Sequence, residues 1–104
     1  MPRKSAKDIE TMAEMRACID DIDDKLITLF AEREALTNEV PALKMKEGIA
    51  AAAPARVAAV LAHVRDKAAA RGFDPELAQS MWKLMIDAVI AREEKIMVKE
   101  GKDA

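Results

Sequence analysis

The sequence predicts an all-α protein of three helices, one long, one short and one of medium length. Apolar residues repeat at helical spacings of three and four, and no stretch alternates as a half-buried strand does. Glycine and proline breakers are confined to a few places between these periodic segments. Aromatic residues make up only 3% of the chain, so its core must consist mainly of aliphatic side chains and alanine, which suit helices.

The first predicted helix, residues 7–46, carries the clearest pattern. Its apolar residues form the a/d seam of a coiled coil, and they are Met12, Met15, Ile19, Ile22, Leu26, Leu29, Leu36, Val40 and Leu43. A helix of about 40 residues is about 60 Å long, whereas a compact domain of this size has a radius of gyration of only about 13 Å. The seam therefore predicts an intertwined homodimer in which the long helices of two copies pair.

Pro41 interrupts this pattern and leaves an alternative open. Proline cannot donate a hydrogen bond to the carbonyl of Thr37, so a kink is expected just before Lys44. A monomer whose first helix breaks near Pro41 is the alternative to the paired long helices.

The other two predicted helices span residues 54–70 and 74–99, and an alanine-rich linker at 49–53 precedes them. A proline opens the second helix. The third begins at Asp74-Pro75, because aspartate is a good N-cap and proline a good first helical residue. Gly48 follows the first predicted helix, and Gly72 lies just before the third.

Length, charge and composition narrow the class of protein. The 104 residues predict a single domain, 1–104, with flexible tails at 1–7 and 100–104. The net charge of −2 argues against nucleic acid as a partner, because there is no basic excess. No run approaches the roughly 18 apolar residues of a membrane span, and no apolar segment of a signal peptide follows the basic start.

The single cysteine and the single histidine do not indicate a reactive site. Cys18 has no partner for an intrachain disulfide, which fits a reducing compartment and predicts a cytoplasmic protein. Cys18 and His63 lack the spacing of a zinc or nucleophilic site. We therefore expect no metal and no cofactor.

Two ionisable residues occupy apolar stripes. Arg33 fills the gap in the seam of the first helix, and Glu93 lies on the stripe of the third helix with Trp82, Ile86, Val89 and Ile96. A buried arginine without a partner costs several kcal/mol. Periodicity alone leaves open an Arg33–Glu93 ion pair, an arginine that reaches the surface, and a ligand site.

Further cations have spacings that suit an anion. Lys44 follows Arg33 by eleven residues, on nearly the same helix face and about 16 Å along the axis. Arg16 is about 25 Å from Arg33 along the axis, so it reaches the same ligand only from an antiparallel second copy. Arg56, near the start of the second helix, is the fourth candidate. These residues predict a pocket for a small polyanion between two protomers. Arginine forks match carboxylates, and phosphates would also fit, although the sequence has no glycine-rich phosphate loop.

Five segments occur in an order and spacing found together in one known family; they are Met15–Asp23, Leu29–Arg33, Lys44, Pro54–Val57 and Gly72–Glu76. They resemble the all-helical (type II) chorismate mutases, a family that includes isochorismate pyruvate lyases. The first segment is similar to the family's Leu-Arg-x-x-Ile-Asp-x-Ile-Asp, the second to Leu-Leu-Ala-x-Arg, and the last to its Gly-Leu-Asp-Pro turn. Glu93 falls where the family has glutamine or glutamate, and the resemblance covers about residues 10–97.

The resemblance implies a domain-swapped homodimer with two active sites that rearrange chorismate to prephenate without a cofactor. Each site would hold Arg33, Lys44, Arg56 and Glu93 of one chain and Arg16 of the other. The arginines would bind the substrate carboxylates. Lys44 and a protonated Glu93 would face the ether oxygen, where negative charge develops.

Two valines depart from the mutase pattern and bear on the substrate. Val57 stands where mutases commonly have an acidic residue for the substrate hydroxyl, and Val89 stands where a serine is often found. Val57 resembles the lyases, so isochorismate pyruvate lyase is an alternative, although Glu93 in place of the lyase glutamine favours the mutase. A non-catalytic helical dimer that binds an aromatic-pathway metabolite is a second alternative.

Overall fold

The computed structural model describes residues 5–51 and 53–97, and this part of the chain is helical without strands. A 3-10 turn at Ala6–Asp8 is followed by four helices: α1 (Met12–Thr37), α2 (Val40–Glu47), α3 (Pro54–Ala70) and α4 (Pro75–Ile96). The all-α prediction is confirmed. None of the helices in the described ranges is long and apolar enough to cross a membrane.

The chain divides into two compact units between Leu36 and Thr37. The predicted tail at 100–104 lies outside the described residues, as do the first four residues of the predicted tail at 1–7. Ala6 and Lys7 of that tail belong to the 3-10 turn. The assignment of the whole chain to a single domain stays a prediction.

The prediction of one continuous first helix was wrong. The helix begins at Met12 rather than at residue 7, and it is interrupted at residues 38–39, where α1 gives way to α2. The interruption precedes Pro41, whose missing N–H and bulky ring are incompatible with a helix interior. Pro41 is buried and lies in the first turn of α2, where the missing donor costs nothing.

In the first unit, α1 exposes much of its apolar seam. The helix is capped by Thr11, whose hydroxyl oxygen accepts a hydrogen bond from the Glu14 N–H at 3.1 Å. Seam residues nevertheless stay open to solvent, with Met12 61%, Leu29 60% and Leu36 73% exposed. The pattern that predicted a partner helix is therefore a largely uncovered surface of α1.

In the second unit, α4 packs against both α2 and α3. Its buried residues are Ala78, Ile86 and Glu93, and Ala68 is the buried residue of α3. The three buried positions of α4 are eight and seven residues apart, so they lie along one face. The structure confirms that Glu93 belongs to the apolar stripe of this helix.

The predicted ends of α3 and α4 agree well with the structure. The bounds of α3 are those predicted, 54–70. Asp74 caps α4, because its carboxylate accepts hydrogen bonds from the N–H groups of Glu76 and Leu77 at 3.0 and 3.3 Å. The predicted end of this helix at residue 99 lies outside the described residues.

Two glycines end α2 and α3 in the same way. Gly48 has a φ of 74° and Gly72 a φ of 75°, a left-handed conformation that favours glycine. In both turns the N–H of the residue after the glycine donates to the carbonyl five residues before it, at 2.8 Å. Both helices therefore end in a Schellman-type turn.

Candidate active site

An ion pair between Lys44 of α2 and Glu93 of α4 forms the centre of the candidate site. Lys44 Nζ lies 2.6 Å from Glu93 Oε1, and the two side chains are 18% and 5% exposed. A carboxylate buried to this extent needs a partner, because an uncompensated charge away from water is costly. The pair explains how a charged residue is accommodated on the apolar stripe of α4.

The Lys44 ammonium has a second acceptor in the linker after α2. Its Nζ donates to the backbone carbonyl of Ala51 at 2.7 Å. An ammonium has three N–H donors, and in the described part of the chain Glu93 and Ala51 take two of them. Within residues 5–51 and 53–97 the third N–H has no acceptor.

Helix geometry favours this pairing. Lys44 lies in the last turn of α2, where unsatisfied carbonyls favour a cation. Glu93 lies near the end of α4, where the same partial negative charge disfavours a carboxylate. Placing the ammonium beside the carboxylate offsets that repulsion. Lys44 is thus favoured by the partial negative charge at the end of α2. It also compensates the carboxylate at the end of α4.

The partner of Glu93 is therefore Lys44. Sequence periodicity had left open an Arg33–Glu93 pair, and it did not identify the lysine as the partner. The family resemblance did indicate that Lys44 and Glu93 lie close together, because both were expected to face the same ether oxygen. No sequence signal pointed to the Ala51 carbonyl, since a backbone acceptor is independent of residue type.

Arg56, Val57 and Val89 belong to the same unit as the ion pair. Arg56 and Val57 lie in the first turn of α3, where Arg56 is exposed and Val57 is partly buried. Val89 is also partly buried and precedes Glu93 by four residues on α4, so the two occupy adjacent turns of one face. Among the predicted site residues described in this unit, a hydrogen bond joins only Lys44 and Glu93.

Arg16 and Arg33 lie on α1, in the first unit. Arg16 is exposed and Arg33 is partly buried. Their separation of seventeen residues corresponds to about 25 Å along the helix. A small ligand therefore cannot contact both arginines of one chain.

The described residues contain no group of three or more His, Cys, Asp or Glu side chains that could hold a metal ion. Cys18 is a partly buried free thiol, and His63 is exposed on α3. The absence of a metal or cofactor requirement stays a prediction.

Known proteins match the chain over most of its length. A family profile described as chorismate mutase type II matches residues 15–94, a span that includes every predicted site residue. A chorismate mutase from Methanocaldococcus jannaschii is 30% identical over 79 residues, which is 76% of this chain and 80% of that protein. These matches confirm the resemblance found in the short segments. The chain belongs to the type II chorismate mutase family.

Proposed function

We propose that this protein is a chorismate mutase, an isomerase that rearranges chorismate to prephenate in a cationic pocket shared between two protomers. Membership of the family supports the reaction. The buried Lys44–Glu93 pair is the structural observation that carries the proposal, because it brings the two side chains expected to face the ether oxygen into direct contact. The [3,3] rearrangement takes place within one molecule, so it requires no nucleophile from the protein.

The pair suits an oxygen that gains negative charge. As the ether bond of the substrate breaks, the remaining N–H of Lys44 donates to the ether oxygen. Glu93 accepts from Lys44 through Oε1. A donor role for Glu93 requires a proton on Oε2, because an ionised carboxylate has no hydrogen to donate and would repel the developing charge. Donors held in place before the reaction stabilise this charge more than mobile water does.

The arginines bind the substrate as a dianion. Arg16 of one protomer and Arg33 of the other each bind a carboxylate through a guanidinium fork, and Arg56 supports them. Val57 and Val89 line the pocket on its apolar side. Holding both carboxylates keeps the substrate in the diaxial shape in which the reacting carbons meet.

A homodimer is part of this proposal. It is supported by the exposed seam of α1, by a helix length of about 39 Å that exceeds the expected width of a compact domain, and by the distance between Arg16 and Arg33. Sedimentation equilibrium should give twice the chain mass of 11.4 kDa. A single-chain mass at all protein concentrations would contradict the shared site.

A second candidate is isochorismate pyruvate lyase activity in the same pocket. The observation that favours it is Val57, which is partly buried in the first turn of α3 and carries no acidic group for a substrate hydroxyl. Incubation with each substrate separates the two functions: prephenate from chorismate supports the mutase, and salicylate with pyruvate from isochorismate supports the lyase. A non-catalytic dimer would be stabilised by a bicyclic transition-state mimic without turning over either substrate.

A cytoplasmic location, favoured by the lone Cys18, belongs to the same proposal.

The proposed donor role of Glu93 is tested by Glu93→Gln. The glutamine amide can donate through its nitrogen and can still accept from Lys44 through its oxygen, so kcat/KM for chorismate should stay close to that of the wild type. A loss of turnover in Glu93→Gln as large as that in Lys44→Met would contradict the donor role.

A further inference from the structure

The second acceptor of the Lys44 ammonium comes from a connecting segment rather than from a helix. Glu93 Oε1 of α4 and the Ala51 carbonyl of the linker bind the same nitrogen at 2.6 and 2.7 Å. With one acceptor, a long lysine side chain can still swing about that single hydrogen bond. Two acceptors on different segments fix the directions of two N–H bonds, and tetrahedral geometry then fixes the third.

We propose that the chain reversal at Gly48 and the first residues of the linker, 49–51, form a positioning element, whose Ala51 carbonyl aims the remaining N–H of Lys44 at the reacting oxygen of the substrate. The inference rests on the proposed function, which gives Lys44 its contact with the ether oxygen. Ala51 contacts Lys44 and not the substrate, so it acts as a positioning residue.

Gly48 is the residue that allows the linker to reach Lys44. Its left-handed backbone, with φ 74° and ψ 28°, reverses the chain at the end of α2. After the reversal, the Ile49 N–H donates to the Lys44 carbonyl at 2.8 Å, so the linker holds both the backbone and the side chain of Lys44. Continued as helix, the chain would carry Ala51 about 10 Å further along the axis from Lys44.

Gly72 provides a matched control within the same chain. It ends α3 with nearly the same φ as Gly48, and it is followed by an equivalent 2.8 Å hydrogen bond. A Cβ added at either glycine meets no atom within 4 Å. Alanine at either position therefore faces the same unfavourable backbone conformation without a steric clash. Of the two glycines, only Gly48 precedes a segment that forms hydrogen bonds with Lys44.

The kinetic test compares three variants with the wild type. Gly48→Ala should lower kcat for chorismate by about ten- to a hundredfold, the scale expected when a catalytic group is misplaced by about 1 Å. KM should change little, because the arginines hold the carboxylates. Gly72→Ala should lower the thermal midpoint to a similar extent and leave kcat unchanged. Gly48→Asn should restore most of kcat, since asparagine tolerates the left-handed conformation.

A second measurement does not depend on activity. Acetylation of lysines by acetic anhydride, mapped by mass spectrometry, should find Lys44 protected relative to Lys25 and Lys83, whose side chains are 66% and 53% exposed. Gly48→Ala should raise the labelling of Lys44, whereas Gly72→Ala should not.

The outcomes separate the two proposals. If the wild type does not turn over chorismate but Lys44 is labelled as expected in the wild type and in both alanine variants, the proposed function is contradicted. The positioning of Lys44 by the linker is then still supported. Wild-type kcat and wild-type Lys44 protection in Gly48→Ala would overturn the inference. Equal losses of kcat in the two alanine variants would overturn it as well, because the effect would then follow stability alone.

Discussion

Replacing Arg33 by alanine is expected to lower kcat/KM for chorismate by about a thousandfold while leaving the oligomeric state and thermal midpoint close to those of the wild type. Arg33 is partly buried on α1 and fills the polar position of an otherwise apolar seam. In the proposed site its guanidinium fork binds a substrate carboxylate, a contact that alanine cannot make. Steady-state kinetics and sedimentation of the same preparation would measure both effects.

A matched arginine separates this role from a general effect of charge. Arg71 is exposed at the end of α3, so Arg71→Ala should retain wild-type kinetics. Arg33→Lys keeps the charge but loses the planar fork, and we expect an intermediate rate. If Arg33→Ala instead dissociates the assembly or unfolds the chain, Arg33 serves the helix seam and is not a substrate ligand.

Lys44→Met should affect both folding and turnover. The change leaves the buried carboxylate of Glu93, whose side chain is 5% exposed, without the ammonium that compensates its charge. Breaking a buried ion pair by removing one partner costs about 3–5 kcal/mol of unfolding free energy. Urea unfolding should show this loss, and turnover should fall to the background rate because the donor to the ether oxygen is gone.

The double variant Lys44→Met/Glu93→Leu tests whether these two losses have separate causes. Replacing both partners of a buried pair by apolar residues is often neutral or stabilising, so the double variant should regain stability without regaining activity. Lys83→Met is the surface control, since Lys83 pairs with Asp87 at 2.7 Å but both side chains are more than half exposed. Its cost should stay below about 1 kcal/mol. Activity in the double variant would show that the pair is structural.

The helix boundaries could be predicted where local chemistry marks them. Pro54 opens α3, Gly72 follows its end, and the Asp74 cap begins α4 as expected. The break between α1 and α2 was expected only as a kink, or as the alternative of a helix broken near Pro41, because the apolar spacing continues through it from Leu36 to Leu43. Periodicity indicates which residues share a helix face. A break of two residues, 38–39, leaves the spacing of the apolar residues almost unchanged.

The candidate site could be predicted only in part. The family pattern marked Lys44 and Glu93 for the same region of the site, and the structure has their side chains in direct contact. The contact of the Ala51 carbonyl with Lys44 could not be predicted, because it depends on the chain reversal at Gly48 and not on the identity of residue 51. The roles of the arginines stay predictions, to be decided by the Arg33 variants.

The buried ion pair also has a consequence for the effect of temperature. Hydration of charged groups has a strongly negative entropy, so the free energy lost on removing them from water shrinks as the temperature rises. The cost of keeping Lys44 and Glu93 together inside the protein is therefore largest in the cold. Cooling, rather than moderate warming, is therefore the condition under which water competes best for the charged groups of Lys44 and Glu93.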